Sequence, residues 1–325
     1  MDRGDLRVKQ QVQAVVMMLL VIALPTAITF TTIVDAGTLT FSSDNPTPYG
    51  YTVSLLFFIV PAFVVTVWLL ARPGDDIPQK AFFATLAVLL PMGFGLDLVF
   101  GNLFFFFPNE GAVLGIYVPG WDFHTMSFVK ELPIEEFVFY ISGFVVALLV
   151  YLWLDIFWVG RYADQDTEGI RINFVRLIGM HWPSLIGGLA IIVVLIIFTR
   201  VTTAGEAFPG YAVFLIAVPL IPTALLFEGV KKVVNWQAFS LSMFTMLIVS
   251  IVWEATLASP YEWWRYHDEQ MMGVFIGAWS ELPVEACFVW IMVTWTSVIF
   301  YETIHRIMLS GRNTREALFG PKKGS

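Results

Sequence analysis

The segments ELPIEEF at residues 131–137 and ELPVEAC at residues 281–287 decide how this chain is organised. Their prolines, Pro133 and Pro283, lie 150 positions apart, and each precedes a long apolar stretch. Proline in the first turn removes no hydrogen bond that a helix needs, and acidic residues there are stabilised by the positive end of the helix dipole. Each segment is therefore predicted to open a helix.

The composition around these segments predicts an all-α integral membrane protein. Of the 325 residues, 58% are apolar and 14% are charged, whereas soluble domains have about one-quarter charged residues. Apolar runs of about 20 residues, enough to cross a bilayer, recur along the chain. The eight predicted transmembrane helices cover residues 12–34, 52–71, 82–106, 133–157, 184–201, 210–227, 239–257 and 283–303.

The basic residues orient these spans, because cytoplasmic loops are enriched in Lys and Arg. With the N-terminus inside, 15 of the 18 Lys and Arg residues fall on the cytoplasmic side, and Lys130, Arg200 and Arg265 fall outside. We therefore predict a protein of the cell's inner or plasma membrane with both termini cytoplasmic.

The chain also looks duplicated. LGIY at residues 114–117 resembles MGVF at 272–275, and an acid lies late in span three (Asp97) and in span seven (Glu254). We predict two four-helix repeats, residues 1–160 and 161–325. Because four is even, both halves enter and leave on one side, which gives a parallel repeat with a site between the halves.

The acidic residues predict a cluster in the outer leaflet. Glu135 and Glu136 point about 100° apart on a helix, so both cannot face the same water. At least one of them is expected to turn into the bundle, where Asp97, Glu254 and Glu285 lie at the same level. Burial favours the protonated form of a carboxyl group, which makes it a general acid. Asp155, Glu228 and Glu302 lie near the inner ends, where basic residues or water can meet them.

A purely structural interpretation stays open for the same residues. Glu135 and Glu285 could simply begin helices among the lipid headgroups. The aromatic residues at 104–107 and 261–266 are typical of an interfacial belt, and they could equally line a dry pocket that stabilises a carbocation.

Other features exclude several classes of protein. The net charge of −8 argues against nucleic acid as a partner, because binding phosphates needs a basic face. The single cysteine, Cys287, allows no intrachain disulfide. The chain has no dinucleotide fingerprint, phosphate loop or two-histidine zinc helix, so we expect no cofactor and no metal. An enzyme of this composition would begin by donating a proton.

The residues Pro133-Ile134-Glu135-Glu136-Phe137-Val138-Phe139 resemble the Pro-x-Glu-Glu-x-x-Phe signature of the lycopene cyclase domain in heterodimeric or fused carotenoid cyclases. Pro283-Val284-Glu285 is similar, with Ala286 in place of the second acid, and Tyr301-Glu302 matches the Tyr-Glu at the end of that domain's last helix. The chain thus resembles two tandem copies, of which the second is divergent.

The resemblance implies an isomerase of carotenoid biosynthesis that protonates an isoprenoid double bond and closes a ring without a cofactor. It places Glu135 and Glu136 as acid and base candidates in either order, and Glu285 as a second acid or an orienting group. Asp97 and Glu254 would adjust the pKa values of these glutamates or relay protons to them from outside. The expected partners are an isoprenoid or carotenoid substrate, membrane lipid and other enzymes of the isoprenoid pathway.

Two other functions fit the same residues. A carotenoid or terpenoid hydratase would use the same acid and let water capture the cation, which adds the mass of one water to the product. A proton-coupled transporter would use the carboxyl groups as a relay between the halves, with the acids near the middle of the membrane.

Overall fold

A computed structural model of the chain describes residues 48–71, 77–159, 171–276 and 280–321. These residues are mostly helical, and seven of their helices are long and apolar enough to cross a membrane. The protein is therefore a helical membrane protein. The seven helices coincide with predicted spans two to eight, and predicted span one (12–34) lies outside the described residues.

The described helices are α1 (Gly50–Ser54), α2 (Leu56–Leu70), α3 (Gln79–Phe104), α4 (Ile134–Trp153), α5 (Trp182–Thr202), α6 (Gly210–Val230), α7 (Trp236–Trp253), α8 (Glu285–Leu309) and α9 (Thr314–Phe319). Helices α1 and α2 form one span. Helices α4 and α7 continue as π-helical turns at Leu154–Val159 and Glu254–Ala258. Helix α9 is a short segment after the last span.

Short β-ribbons join the helices at one end of the bundle, a feature that the prediction of helices alone did not include. β2 (Tyr117–Asp122) pairs with β3 (Ser127–Pro133), and β5 (Phe275–Ile276) pairs with β6 (Leu282–Pro283). β1 (Phe105–Phe106) pairs with β4 (Arg265–Tyr266) and so connects the loop after α3 to the loop after α7. These ladders give hydrogen-bond partners to loop backbone that would otherwise be unpaired.

Helices α4 and α8 form the centre of the bundle. Helix α4 packs against α2, α3, α7 and α8, while α8 packs against α6, α7, α3 and α4. Exchanging α2 with α6, α3 with α7 and α4 with α8 converts one set of neighbours into the other. Helix α5 packs mainly on α6 and is largely exposed on its other faces. The ends of α3 and α7 and the beginnings of α4 and α8 thus meet at one end of the bundle.

An ionic cluster lies at the opposite end. Arg171 Nη2 donates a hydrogen bond to Glu302 Oε1 at 3.0 Å and lies 3.6 Å from Asp155 Oδ2. Tyr151 Oη also donates to Glu302 Oε1, at 2.9 Å. Glu228, by contrast, pairs with its neighbour Lys231 at 2.8 Å. These three acids therefore have partners, and for Asp155 and Glu302 the partner comes from the connection between the halves.

Replacing Arg171 should destabilise the fold strongly. Glu302 is fully buried, and removing one member of a buried ion pair leaves an uncompensated charge, which costs about 3–5 kcal/mol. Arg171→Met should therefore lower the thermal unfolding temperature in detergent. Lys231→Met breaks a half-exposed pair and serves as the control, with an expected loss of about 0–1 kcal/mol. Equal losses in both variants would show that Arg171 does not neutralise Glu302.

Candidate functional site

The structure brings the five candidate acids to one end of the bundle. Asp97 lies near the end of α3 and Glu254 near the end of α7, while Glu135, Glu136 and Glu285 lie in the first turns of α4 and α8. All five side chains are at most 7% exposed. They lie inside the protein. The interpretation in which the acids are exposed at helix starts therefore does not apply to them.

Glu135 and Glu285 hold loops against the helix starts. Glu135 Oε1 accepts hydrogen bonds from the Leu114 backbone N–H at 2.7 Å and from the Thr52 hydroxyl at 2.5 Å. Glu285 Oε1 accepts one from the Met272 backbone N–H at 2.5 Å. Each carboxyl group therefore closes a ring between a helix start and the loop that precedes its β-ribbon. We call these two arrangements the loop latches.

The two loop latches share their backbone geometry. The residue after each donor is a glycine in the left-handed region, Gly115 with φ 75° and Gly273 with φ 76°. Only glycine adopts this region without a steric penalty, and the turn aims the preceding amide at the carboxyl group. The next residues also correspond, since Tyr117 pairs with Pro133 and Phe275 pairs with Pro283. The similarity between LGIY and MGVF in the sequence thus reflects the same local structure.

Glu136, Glu254 and Asp97 are surrounded by tyrosines. Tyr51 Oη donates to Glu136 Oε1 at 2.5 Å, and Tyr140 interacts electrostatically with Asp97. Glu254 accepts on both oxygens, from Ser250 Oγ at 3.0 Å and from Tyr266 Oη at 2.8 Å. Burial, and then the charge of Glu254, raise the pKa of the Tyr266 phenol well above its usual value, so Tyr266 stays a hydrogen-bond donor.

Glu136 and Glu254 face a common cavity of about 600 Å³, which we call the acid cavity. Its wall is aromatic and aliphatic apart from these acids and four tyrosine hydroxyls. The lining residues are Tyr51, Phe105, Glu136, Phe139, Tyr140, Gly143, Phe144, Tyr211, Glu254, Trp264, Tyr266, Val289, Trp290 and Val293. Asp97, Glu135 and Glu285 do not line it. The cavity therefore separates two of the five candidates from the other three, which their spacing in the sequence did not do.

The acids near the acid cavity have no ion-pair partner in the part of the chain that the structure describes. The ion pairs there lie at the opposite end of the bundle or at the loop surface, and none includes Asp97, Glu136 or Glu254. Asp97 Oδ2 is buried without a hydrogen-bond partner among the described residues. Glu136 interacts electrostatically with both Asp97 and Glu254. Three buried acids thus lie near one another without a neutralising cation among the described residues.

The second half lacks one of these groups. Ala286 occupies the position of Glu136 in the second segment, and Trp290 occupies the position of Tyr140. Both are buried, and Trp290 lines the acid cavity, as Tyr140 does. The site is therefore asymmetric, with Glu136 contributed by the first half and Glu254 by the second.

Three of the tyrosines were missed by the sequence analysis: Tyr51, Tyr140 and Tyr211. A signal for two of them exists, because Gly50-Tyr51 and Gly210-Tyr211 lie 160 positions apart and begin α1 and α6. These are the only two Gly-Tyr pairs in the sequence, so their spacing was a signal that could have found both tyrosines.

Half of the eight aromatic residues singled out in the sequence are buried in the protein. Trp263, Trp264 and Phe104 are less than 9% exposed, whereas Phe106 is 39% exposed. Trp264 packs against Tyr51 with ring centroids 5.0 Å apart. A belt of aromatics at the membrane surface therefore does not account for the buried half.

No group of three or more metal-ligating side chains occurs among the described residues. Comparison with known proteins gives no match: no protein-family model, no curated protein and no solved structure matches this chain. The resemblance to the lycopene cyclase domain therefore stays a prediction from residues.

Removing a loop latch should open the loop that it holds. Glu135→Ala leaves the Leu114 amide without its acceptor, and Glu285→Ala does the same to Met272. We expect faster hydrogen exchange at the affected amide, by about tenfold for a lost bond of about 1.4 kcal/mol. Glu110→Ala, at an exposed position in the same loop region, should leave both amides protected. Unchanged exchange at Leu114 in Glu135→Ala would contradict the latch.

Proposed function

We propose that this chain is a membrane-embedded, cofactor-independent isoprenoid cyclase of the carotenoid type, which protonates a double bond and closes a ring. The observation that supports it most directly is the acid cavity, where Glu136 and Glu254 face an aromatic wall that contains no cation among the described residues. A polyene is apolar, so it binds in an apolar cavity of this kind. An acid that lines the same cavity can then protonate it.

Glu136 is the proposed proton donor. It lines the acid cavity and is hydrogen-bonded through one oxygen to Tyr51. Asp97, also buried, is a second acid that interacts with it electrostatically. Placing several charges in one dry space costs much free energy, and a shared proton relieves that cost. In the proposed first step, the Glu136 proton forms a C–H bond at the terminal alkene and leaves a tertiary carbocation.

Glu254 is the proposed base. Both of its oxygens accept hydrogen bonds, from Ser250 and Tyr266, which stabilises a carboxylate. After the neighbouring alkene attacks the cation and forms the ring bond, Glu254 takes a proton from a ring carbon, and a new ring double bond remains. Return of this proton to Glu136 restores both groups. The product is an isomer of the substrate, and no oxidant or reductant is needed.

The aromatic wall has a role in the same proposal. The rings of Phe139, Trp264 and Trp290 line the acid cavity, and an aromatic face stabilises a cation by about 2 kcal/mol or more in a dry site. The wall also keeps out bulk water, which would capture the cation and give an alcohol. This favours cyclisation over hydration at the same acid.

The repeat and the orientation belong to the proposal as well. We propose eight spans in two parallel four-helix repeats, residues 1–160 and 161–325. The matching loop latches and the exchangeable neighbours of α4 and α8 support it. The excess of basic residues in alternate loops supports an inner or plasma membrane location with both termini in the cytoplasm.

Expression of the chain in cells that accumulate lycopene or another linear polyprenoid tests the reaction. We expect a product of unchanged mass with a new ring, identified by chromatography and mass spectrometry of the lipids. A product heavier by one water would assign the protein as a hydratase. No new product from any linear polyprenoid, in cells that contain the folded protein, would exclude both reactions.

The acid assignment predicts different effects for the neighbouring glutamates. Glu136→Gln removes the proposed proton donor and should lower turnover by at least about 10²-fold. Glu135→Gln keeps an acceptor oxygen for Leu114 and Thr52 and should lose much less activity. Turnover and the unfolding temperature would be measured together in membranes. Loss of turnover in folded Glu135→Gln but not in Glu136→Gln would transfer the acid role to Glu135.

The base assignment predicts a partial reaction. In D₂O, Glu254→Gln should still let Glu136 protonate the alkene and take the proton back, so the recovered linear substrate gains deuterium while no ring forms. Glu136→Gln should lose both deuterium incorporation and product. Wild-type product formation in Glu254→Gln would exclude Glu254 as the base.

A further inference from the structure

A second cavity, of about 670 Å³, lies between α3, α6 and α8. Helices α3 and α6 both pack on α8, and aromatic rings bridge the space between them. The rings of Phe100 and Phe214 lie 5.3 Å apart, and those of Phe104 and Phe214 lie 5.2 Å apart. We call this space the α3–α6 groove.

The outer part of the α3–α6 groove reaches the surface of the bundle. Leu96, Phe100, Phe214, Val218 and Met292 line it, and all five are partly exposed. This surface belongs to the membrane-spanning part of α3, α6 and α8. Its apolar side chains would face lipid hydrocarbon and not water. An apolar molecule dissolved in the bilayer therefore meets the groove directly.

The inner part of the groove is continuous with the acid cavity. The residues that line both are Phe105, Tyr140, Phe144, Tyr211, Val289 and Val293. Asp97 lines the groove and is 2% exposed, with Oδ2 unpartnered among the described residues. Asp97 is the one charged residue in the lining. The groove thus leads from an apolar surface to a buried acid and on to Glu136 and Glu254.

The corresponding space in the other half differs. A cavity of about 680 Å³ lies between α2, α4 and α7, which we call the α2–α7 groove. Thr245 is its one polar lining residue, and it shares no lining residue with the acid cavity. Two lateral grooves therefore exist, and one of them connects with the acids.

We propose that the α3–α6 groove admits the substrate from the lipid and holds its hydrocarbon chain, with Phe100 and Phe214 as the gate. The occupant is a linear isoprenoid, because the lining is apolar along its length and its single charged residue, Asp97, lies toward the acid cavity. The reacting end of the chain passes Asp97 and Tyr140 to reach Glu136, while the remainder stays in the groove. This inference rests on the proposed function for the identity of the substrate.

A bulky residue in each groove tests the assignment. Val218→Trp fills the α3–α6 groove, and Val150→Trp places the same side chain in the α2–α7 groove at a residue of similar exposure. We expect Val218→Trp to lower the rate of product formation by about tenfold or more and Val150→Trp to leave it within about twofold. Equal effects of the two substitutions, or a larger effect of Val150→Trp, would overturn the proposal.

A cleavable crosslink across the gate shows whether a loss of activity comes from closing the groove or from misfolding. Phe100→Cys and Phe214→Cys are combined with Cys287→Ser, so that a short cleavable crosslinker between the two thiols closes the gate in folded protein. Crosslinking should abolish product formation, and cleavage of the crosslinker should restore it in the same sample. Full activity of the crosslinked protein would show that the substrate enters elsewhere.

A measurement of substrate binding tests entry through the groove independently of the cyclase reaction. Linear polyenes quench tryptophan fluorescence, and Trp264 and Trp290 line the acid cavity. Lycopene in vesicles should quench the open protein and not the crosslinked one. Quenching that depends on the gate, without any product, would support substrate entry through the α3–α6 groove and contradict the cyclase activity. Product formation that does not depend on the gate would support the cyclase activity and contradict entry through the groove. Equal quenching in the open and crosslinked protein would also contradict entry through the groove.

Discussion

Five carboxyl groups lie inside an apolar bundle without a cation among the described residues beside them, and the arrangement at this end of the protein follows from that constraint. A carboxyl oxygen that is buried in a membrane protein needs a hydrogen-bond donor from within the protein. Glu135 and Glu285 find backbone amides of the loops, which fixes the β-ribbons over the helix starts. Glu136 and Glu254 accept hydrogen bonds from tyrosine and serine hydroxyls instead, and Asp97 interacts electrostatically with Tyr140.

This division gives similar residues different tasks. Glu135 and Glu136 are adjacent in the sequence, yet one is part of a loop latch and the other lines the acid cavity. The difference comes from the helix, which turns about 100° per residue. In the second half, the latch is kept through Glu285 while Ala286 leaves the cavity side without an acid. The latch is thus present in both halves, while the groups that line the acid cavity differ between them.

Parts of this arrangement could be predicted from sequence because they depend on local chemistry. Apolar runs predicted seven of the helices that the structure describes, and the paired segments at Pro133 and Pro283 predicted helix starts. The clustering of Asp97 and Glu254 with the first-turn acids followed from counting spans. The β-ribbons were not predicted, because strands of two residues, such as β1 and β4, carry no periodic signal. The partner of Glu302 was also missed, since Arg171 is 131 residues away.

The sequence by itself determined that this is a helical membrane protein and that its acids gather toward one end, because hydrophobicity and helix length are properties of short segments. Only the tertiary structure decided which acids face the acid cavity, which tyrosines bind them and which lateral groove reaches them. Those outcomes depend on the rotation and packing of helices from both halves around α4 and α8. Contacts between residues far apart in the chain, such as Tyr51 with Glu136, leave no mark in the local sequence.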